Sequence, residues 1–403
     1  MRLSPLLLLG AALFFAACDQ RQPLDSPADT TAIQDTGYER IDIAPNAASA
    51  YLVAIGDDGT ILGMMADSGQ APEGPVHPFI YRDGTIRALA NDSSGDGEAR
   101  FLNLRGQIAG QAGNRGVLVW DSPDATPRRL DTGLPTDDAD DFTIVALSDR
   151  GDIVANHVTH AGIATALLWR NGVRQDLGFL ADSVLGGTFV RAANDAGQIV
   201  GMGQVDLVIH PSDPPTKVVH PILWENGVLR DLGVLAHKPC TEVATPTDCG
   251  SGSAYDINAH GVIVGVSTGP DGFGRAFIWE NGVMRDLGAY PGQSTFATQI
   301  NDRGQVLGSV GSSSFFWENG TAQLIMNNLD GGPHALGANG EVVGSMNAGP
   351  GNLQHAFVWK DGHLTDLGVG MAYAINSQGD IIGNWWGDQG EPRAILWRKK
   401  RQR

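Results

Sequence analysis

Short apolar runs closed by an aromatic recur along the chain. They read PFIY ending at Tyr81, VLVW at Trp120, ALLW at Trp169, PILW at Trp224, AFIW at Trp279, SFFW at Trp317, AFVW at Trp359 and AILW at Trp397. Ahead of each lies a polar turn with glycine that leads into an apolar pair. Strong copies are NDAGQIVG (194–201), NAHGVIVG (258–265), NDRGQVLG (301–308) and NSQGDIIG (376–383). Weaker copies are GDDGTILG (56–63), NLRGQIAG (103–110), SDRGDIVA (148–155) and GANGEVVG (337–344). Behind the aromatic comes a second tight turn: WENG at 224–227, 279–282 and 317–320, WRNG at 169–172, WKDG at 359–362 and YRDG at 81–84. A catalytic motif is ordinarily written once, so a string repeated at regular spacing reads as architecture.

The eight units between 50 and 397 average about 43 residues, the span of a four-stranded propeller blade. The runs are rich in Ile, Val, Leu and aromatics and are bounded by Gly, Asn and Asp, which predicts strands rather than helices. Strand a precedes the N-x-x-G turn, as in FATQI at 296–300. Strand b is the QVLG segment, strand c the AFIW segment, and strand d follows the ENG turn, as in VMRDLG at 283–288. Asn-Gly between c and d is a strong hairpin signal, because a type I′ turn needs positive φ at both central residues. Unit eight ends at AILWRKKRQR without its own strand d, while YERIDIA at 38–44 is a strand without a unit. The N-terminal strand is therefore expected to complete the last blade and remove the open sheet edges. The prediction is an all-β protein, a β-propeller of about eight four-stranded blades over residues 38–398; the alternative is a seven-bladed ring.

Composition narrows the partners. The chain has 403 residues, 42% hydrophobic and only 18% charged, with 54 glycines and a formal net charge of −18. Nucleic acid is not an expected partner, since phosphate binding needs clustered Lys and Arg. The only basic run is the end, with residues 399–403 read as a solvated tail.

Residues 1–17, MRLSPLLLLGAALFFAA, carry one Arg, an apolar run and small residues ahead of Cys18, the layout of a secretory signal. The ending FFAAC resembles a bacterial lipobox. By that resemblance Cys18 becomes the lipidated N-terminus, with plain secretion after cleavage near Ala17 as the alternative. Several acyl-chain methylenes at ~0.8 kcal/mol each make such an anchor stable. Asp19 leaves the choice of inner or outer membrane open. Residues 18–37 read as the lipidated Cys and a flexible tether. Export places Cys240 and Cys249 where disulfides persist, and a bond closing the loop CTEVATPTDC is expected.

The pairing of HAFVWKDGHLTDLG (355–368) with AINSQGDIIG (374–383) resembles the HAF-repeat family of extracellular bacterial proteins. The repeats cover about 50–398, and HPF at 77–79 and HPI at 220–222 are variants of the literal HAF at 355–357. The resemblance implies an exported repeat protein and brings no reaction, substrate or catalytic residue with it.

Repeated residues are discounted as chemistry. Asp176, Asp231, Asp286 and Asp366 in the D-L-G strings read as turn or inter-strand hydrogen-bond partners, the serial Trp as blade-to-blade core, and His77, His220 and His355 as structural. Asp57 with Asp58, or Asn301 with Asp302, lacks the D-x-D-x-D array of a calcium loop. No metal or other cofactor is expected. No G-x-S-x-G, H-E-x-x-H or Walker string occurs. The a–b and c–d turns are uniformly tight, whereas the long inserts 64–78, 202–219 and 234–253 fall on b–c and d–a connections. That variable face is the expected binding face. Trp385 and Trp386, outside the serial position, are its ligand-binding candidates, with Asp388, Asp206, His210 and His237 as polar companions.

The function read from these residues is an exported, membrane-anchored lipoprotein, a monomer whose propeller binds an envelope protein or glycan. The alternative is a glycan-active hydrolase or lyase with a nonrepeated cluster of carboxylates, His or Tyr in the central funnel.

Overall fold

A computed structural model describes residues 36–66, 76–91, 97–112, 116–133, 141–180, 187–207, 216–235, 250–288, 290, 292–326, 331–348, 353–386 and 392–401. The signal peptide, Cys18 and the tether to residue 35, Cys240, Cys249, His210, His237 and Asp388 lie outside the described residues. Every regular element described is a strand, and the strands form eight four-stranded antiparallel sheets. Among the described residues no helix is long and apolar enough to cross a membrane.

Seven sheets are consecutive a-b-c-d blades. The eighth takes Met371–Ile375, Ile381–Trp386 and Pro392–Lys399 from the end of the chain and Tyr38–Asp42 from its beginning. The N-terminal strand pairs antiparallel with the last one, from Tyr38 opposite Lys399 to Asp42 opposite Ile395. Each strand a touches the strand a of the next blade, and that of blade eight touches that of blade one. The ring is therefore an eight-bladed propeller, closed as the split unit predicts, with strands a around the centre and strands d at the rim. The core lies in the seams. One cluster joins Leu62, Met64 and Ile80 of blade one to Ala99, Ile108, Leu118 and Trp120 of blade two. Each such side chain contributes about 1.5–3 kcal/mol by leaving water.

The repeated strings resolve into specific contacts. In the c–d turns Asn171, Asn226, Asn281 and Asn319 have φ near +50°, and each following glycine is also positive, the type I′ geometry. In the a–b turns the asparagine acts twice. Asn301 Oδ1 accepts from the backbone N–H groups of Arg303 and Gln305, and its Nδ2 donates to Gly337 O of the next blade at 2.9 Å. Asn103, Asn194, Asn258 and Asn376 make the same inter-blade bond, the last to Gly56 O across the ring closure. Aspartate could not supply the donor, which is why the string begins with Asn.

The D-L-G aspartate and the HAF histidine are one unit. Asp366 Oδ1 caps the N–H of Gly368 at 2.7 Å, and its carboxylate holds His355 Nδ1 at 2.8 Å. Asp231 does the same for Gly233 and His220. In four blades the variable residue of W-x-N-G or W-x-D-G also pairs with the residue after the a–b turn glycine, whereas in blade five that residue is Val262 and Glu280 turns to Arg285. Gln198 and Gln305 donate to Glu225 and Glu318, each at 2.8 Å. Where the turn reads WRNG the partner is Asp152, and where it reads WKDG the partner is Glu341. Changes in one string are thus matched by changes in the other.

The last glycine of the QVLG strings has an ordinary φ and is required by packing. A Cβ at Gly63 would sit 2.5 Å from Phe79 Cζ and 2.8 Å from Tyr51 O. The same crowding by an inner-strand carbonyl recurs at Gly110, Gly201, Gly265, Gly308, Gly344 and Gly383. In blades one, five, six and seven the ring over this glycine is the Phe two residues before the serial aromatic; in blades two and eight it is the Trp itself. Trp120, Trp169, Trp224, Trp359 and Trp397 are buried, whereas Trp279 and Trp317 are only half-buried.

Candidate functional site

All eight inner strands carry a β-bulge at the same register, and the residue it leaves unpaired is always three before the start of the a–b turn. Those residues are Val53, Arg100, Val145, Arg191, Tyr255, Thr298, His334 and Tyr373. A bulge re-aims side chains, and each is partly or fully solvent-accessible on the innermost strand of its blade. The carbonyl that crowds each strand-b glycine belongs to the residue two before the bulged one, although blade three holds Ala155 there beside the same bulge. The flanking columns are constant in character: buried or small residues before, Ile, Leu or Ala at the strand end. The bulged column and the one two residues ahead of it (Tyr51, Glu98, Thr143, Phe189, Ser253, Phe296, Gly332, Met371) change chemistry most from blade to blade, while the column after the bulge is Ala in five blades and Phe101, Asp256 and Gln299 in the others.

These side chains interact along the inner wall. The Arg191 guanidinium lies over the Tyr255 ring at 4.7 Å from its centroid and near the Phe189 ring at 5.7 Å. Its Nε donates to Ser253 Oγ at 3.1 Å. His334 stacks on Tyr373 with centroids 5.6 Å apart and planes 24° from parallel, and its Nδ1 is 2.8 Å from Ala372 O. Arg100 pairs with Glu98 at 3.0 Å. Burial lowers the Arg191 pKa from its usual value, though an arginine remains charged at neutral pH. Burial pushes Tyr373 up to about 12, and burial with the Glu98 charge does the same to Tyr51. Burial also raises Tyr255, against the opposing pull of Arg191. The wall therefore presents neutral phenols and two cations, one paired with a carboxylate and one not.

The residues singled out in the sequence are dispersed. Trp385 and Trp386 end strand b of blade eight, and Asp206 lies near the end of strand b of blade four, halfway around the ring. Trp385 packs against the core of blades seven and eight, with the Arg40 guanidinium of the closing strand 4.8 Å from its ring centroid. Trp386 is 41% exposed. Asp206 accepts from Gln204 Nε2 at 2.9 Å. Sequence reasoning missed the bulged column, although aligning the eight units on the a–b turn displays it: that column reads V, R, V, R, Y, T, H, Y, whereas the strand-end column holds only Ile, Leu or Ala. Among the described residues no group of three or more His, Cys, Asp or Glu is placed to hold a metal ion.

No family model and no curated protein matches the chain. Solved structures do. A structure from a study of two prolyl endopeptidases aligns over 89% of this chain and 56% of its own, with 7% identity and a TM-score of 0.53. The propeller domain of the trilobed protease from Pyrococcus furiosus aligns over 79% and 98%, with 13% identity and a TM-score of 0.49. An oligogalacturonate lyase in complex with manganese aligns over 90% and 96%, with 12% identity and a TM-score of 0.46. The chain thus spans a little over half the length of the prolyl endopeptidase chain it matches. At 7% identity the likeness to the prolyl endopeptidase structure shows the fold alone.

Proposed function

We propose that the protein is an exported, membrane-anchored lipoprotein whose propeller is a binding scaffold at the cell envelope, with its ligand taken at the inner wall of the ring. The observation that carries this reading is the bulged column. Positions that only hold the ring together repeat, as Asn, Gly and Trp do. A column that varies in charge and aromaticity while its backbone geometry stays fixed in all eight blades is free to follow a ligand. The signal and the lipobox resemblance supply export and the anchor. Trp386, at the end of strand b of blade eight and 41% exposed, is an accessory contact on the b–c side.

Affinity capture from the native envelope with the full-length chain tests this. Wild-type protein retains a specific glycan or protein, a variant carrying Arg191→Gln and Tyr373→Ala loses it, and Trp385→Ala with Trp386→Ala weakens it. Equal capture by folded wild-type and wall variants refutes the inner-wall site. A second reading, a hydrolase or lyase acting on envelope glycans, draws on His334, an imidazole on the inner wall stacked on Tyr373 with its Nδ1 held by Ala372 O. New reducing ends from a polysaccharide panel, lost in His334→Ala, separate it from pure binding.

A further inference from the structure

Arg191 is the one cation of the inner wall without an acidic partner among the described residues. Arg100 has Glu98, but among the described residues the polar contact of Arg191 is Nε to Ser253 Oγ. Burying a guanidinium between two rings without a carboxylate costs stability, and nothing in the ring's architecture requires it: Val53 and Val145 occupy the equivalent place in blades one and three. With Nε committed, the outer edge of the guanidinium remains, two parallel N–H groups spaced for the two oxygens of a carboxylate. The rings of Phe189 and Tyr255 hold the plane in place, so little rotamer freedom is lost on binding.

We propose that Arg191 binds the carboxylate of a uronic acid unit in an acidic glycan, a deeper claim that rests on the inner-wall binding reading above. Three features of the wall select this class. One uncompensated cation matches the single charge of a carboxylate better than the double charge of a phosphate. The hydroxyls of Tyr51, Thr143, Tyr255 and Tyr373 make no hydrogen bond to the described protein and both donate and accept, as sugar hydroxyls do. A peptide would instead add itself to an open strand edge, and the bulge in every inner strand interrupts that edge. The net charge of −18 does not forbid an anionic ligand, because charges beyond about 8 Å are screened at physiological salt.

Calorimetric titration of the full-length protein with trimannuronate and with mannotriose tests the assignment, because the second sugar replaces each carboxylate by a hydroxymethyl group. Trimannuronate binds wild-type protein, and Arg191→Gln weakens it about 10- to 100-fold, the worth of a charge-assisted pair. Arg191→Lys, which keeps the charge and loses the fork, falls between. Mannotriose binds wild type and Arg191→Gln alike and weakly. An unchanged melting midpoint in Arg191→Lys shows that the fold is intact. Equal trimannuronate affinity in wild type and Arg191→Gln overturns the proposal, as does mannotriose binding as tightly as trimannuronate, or an acetylated tripeptide with a free carboxylate displacing the sugar at equal affinity. If no uronate binds while wall variants still lose their captured envelope partner, the uronate assignment fails and the inner-wall reading stands.

Discussion

Lys360→Glu asks whether the two repeated strings truly constrain each other. Lys360 Nζ lies 2.8 Å from Glu341 Oε1, and the side chains are 41% and 3% exposed. Burial alone would raise the Glu341 pKa, but Lys360, the residue's own N–H and Lys399 outweigh it and hold the carboxyl below its usual range. Removing one partner of a buried pair costs about 3–5 kcal/mol. Lys399 Nζ at 3.6 Å keeps part of the compensation, and Lys360 itself is half in water. The low end, about 3 kcal/mol, is therefore the minimum expected, because the new carboxylate also repels Glu341. For the folded unit Thr36–Arg403, an unfolding entropy near 2.1 cal/mol/K per residue sums to about 0.8 kcal/mol/K, so the melting midpoint should fall by about 4 °C or more. The double variant Glu341→Gln with Lys360→Glu recreates the Gln–Glu pair of blades four and six, whose members sit at 2.8 Å. It should recover all but about 1 kcal/mol, a gain of roughly 2 kcal/mol over Lys360→Glu alone in urea unfolding, and the single variant Glu341→Gln completes the cycle that gives the coupling. If the double variant is no more stable than Lys360→Glu, the matched strings are a coincidence of the repeats.

Two further substitutions probe the inner wall's supports. Gly63→Ala should cost about 2–3 kcal/mol, because the added methyl meets a packed ring and a backbone carbonyl that cannot yield; wild-type stability on chemical denaturation would show that the site leaves more room than the geometry indicates. Asp256, whose carboxylate accepts from the N–H groups of Ile300 and Ile257, has its pKa pushed up to about 6 by burial, with Asp302 adding to the rise and the two amides opposing it. Its unfolded value is near 3.9. Between about pH 4 and 6 the folded state thus keeps a proton that the unfolded chain has released, and stability falls as pH rises through that window. Asp256→Asn should flatten that slope in urea midpoints measured across it, and an unchanged slope would place the titration elsewhere.

Much of the ring is local. An Asn-Gly pair at positive φ, an asparagine capping its own turn and an aspartate capping the next glycine all lie within a few residues of one another, so the strings WENG, NDRG and DLG state their structure directly. Even ring closure was legible, because a strand missing at one end and left over at the other must pair. The packing role of the strand-b glycine was not. It depends on a carbonyl of the preceding strand, and nothing in the string marks how close that carbonyl comes.

The binding wall was hidden for a related reason. Arg191 and Ser253 are 62 residues apart in sequence, and only closing the ring sets their inner strands side by side. Trp385 and Trp386 drew notice because they break the repeat, yet one of them is taken up by the core and Arg40. The sequence by itself determined the blade, its turns and their number, since hairpins and side-chain caps are short-range hydrogen-bonded units. Tertiary structure alone decided which varying residues face one another, because the bulge aims them and the curvature of eight packed seams brings them to a common centre.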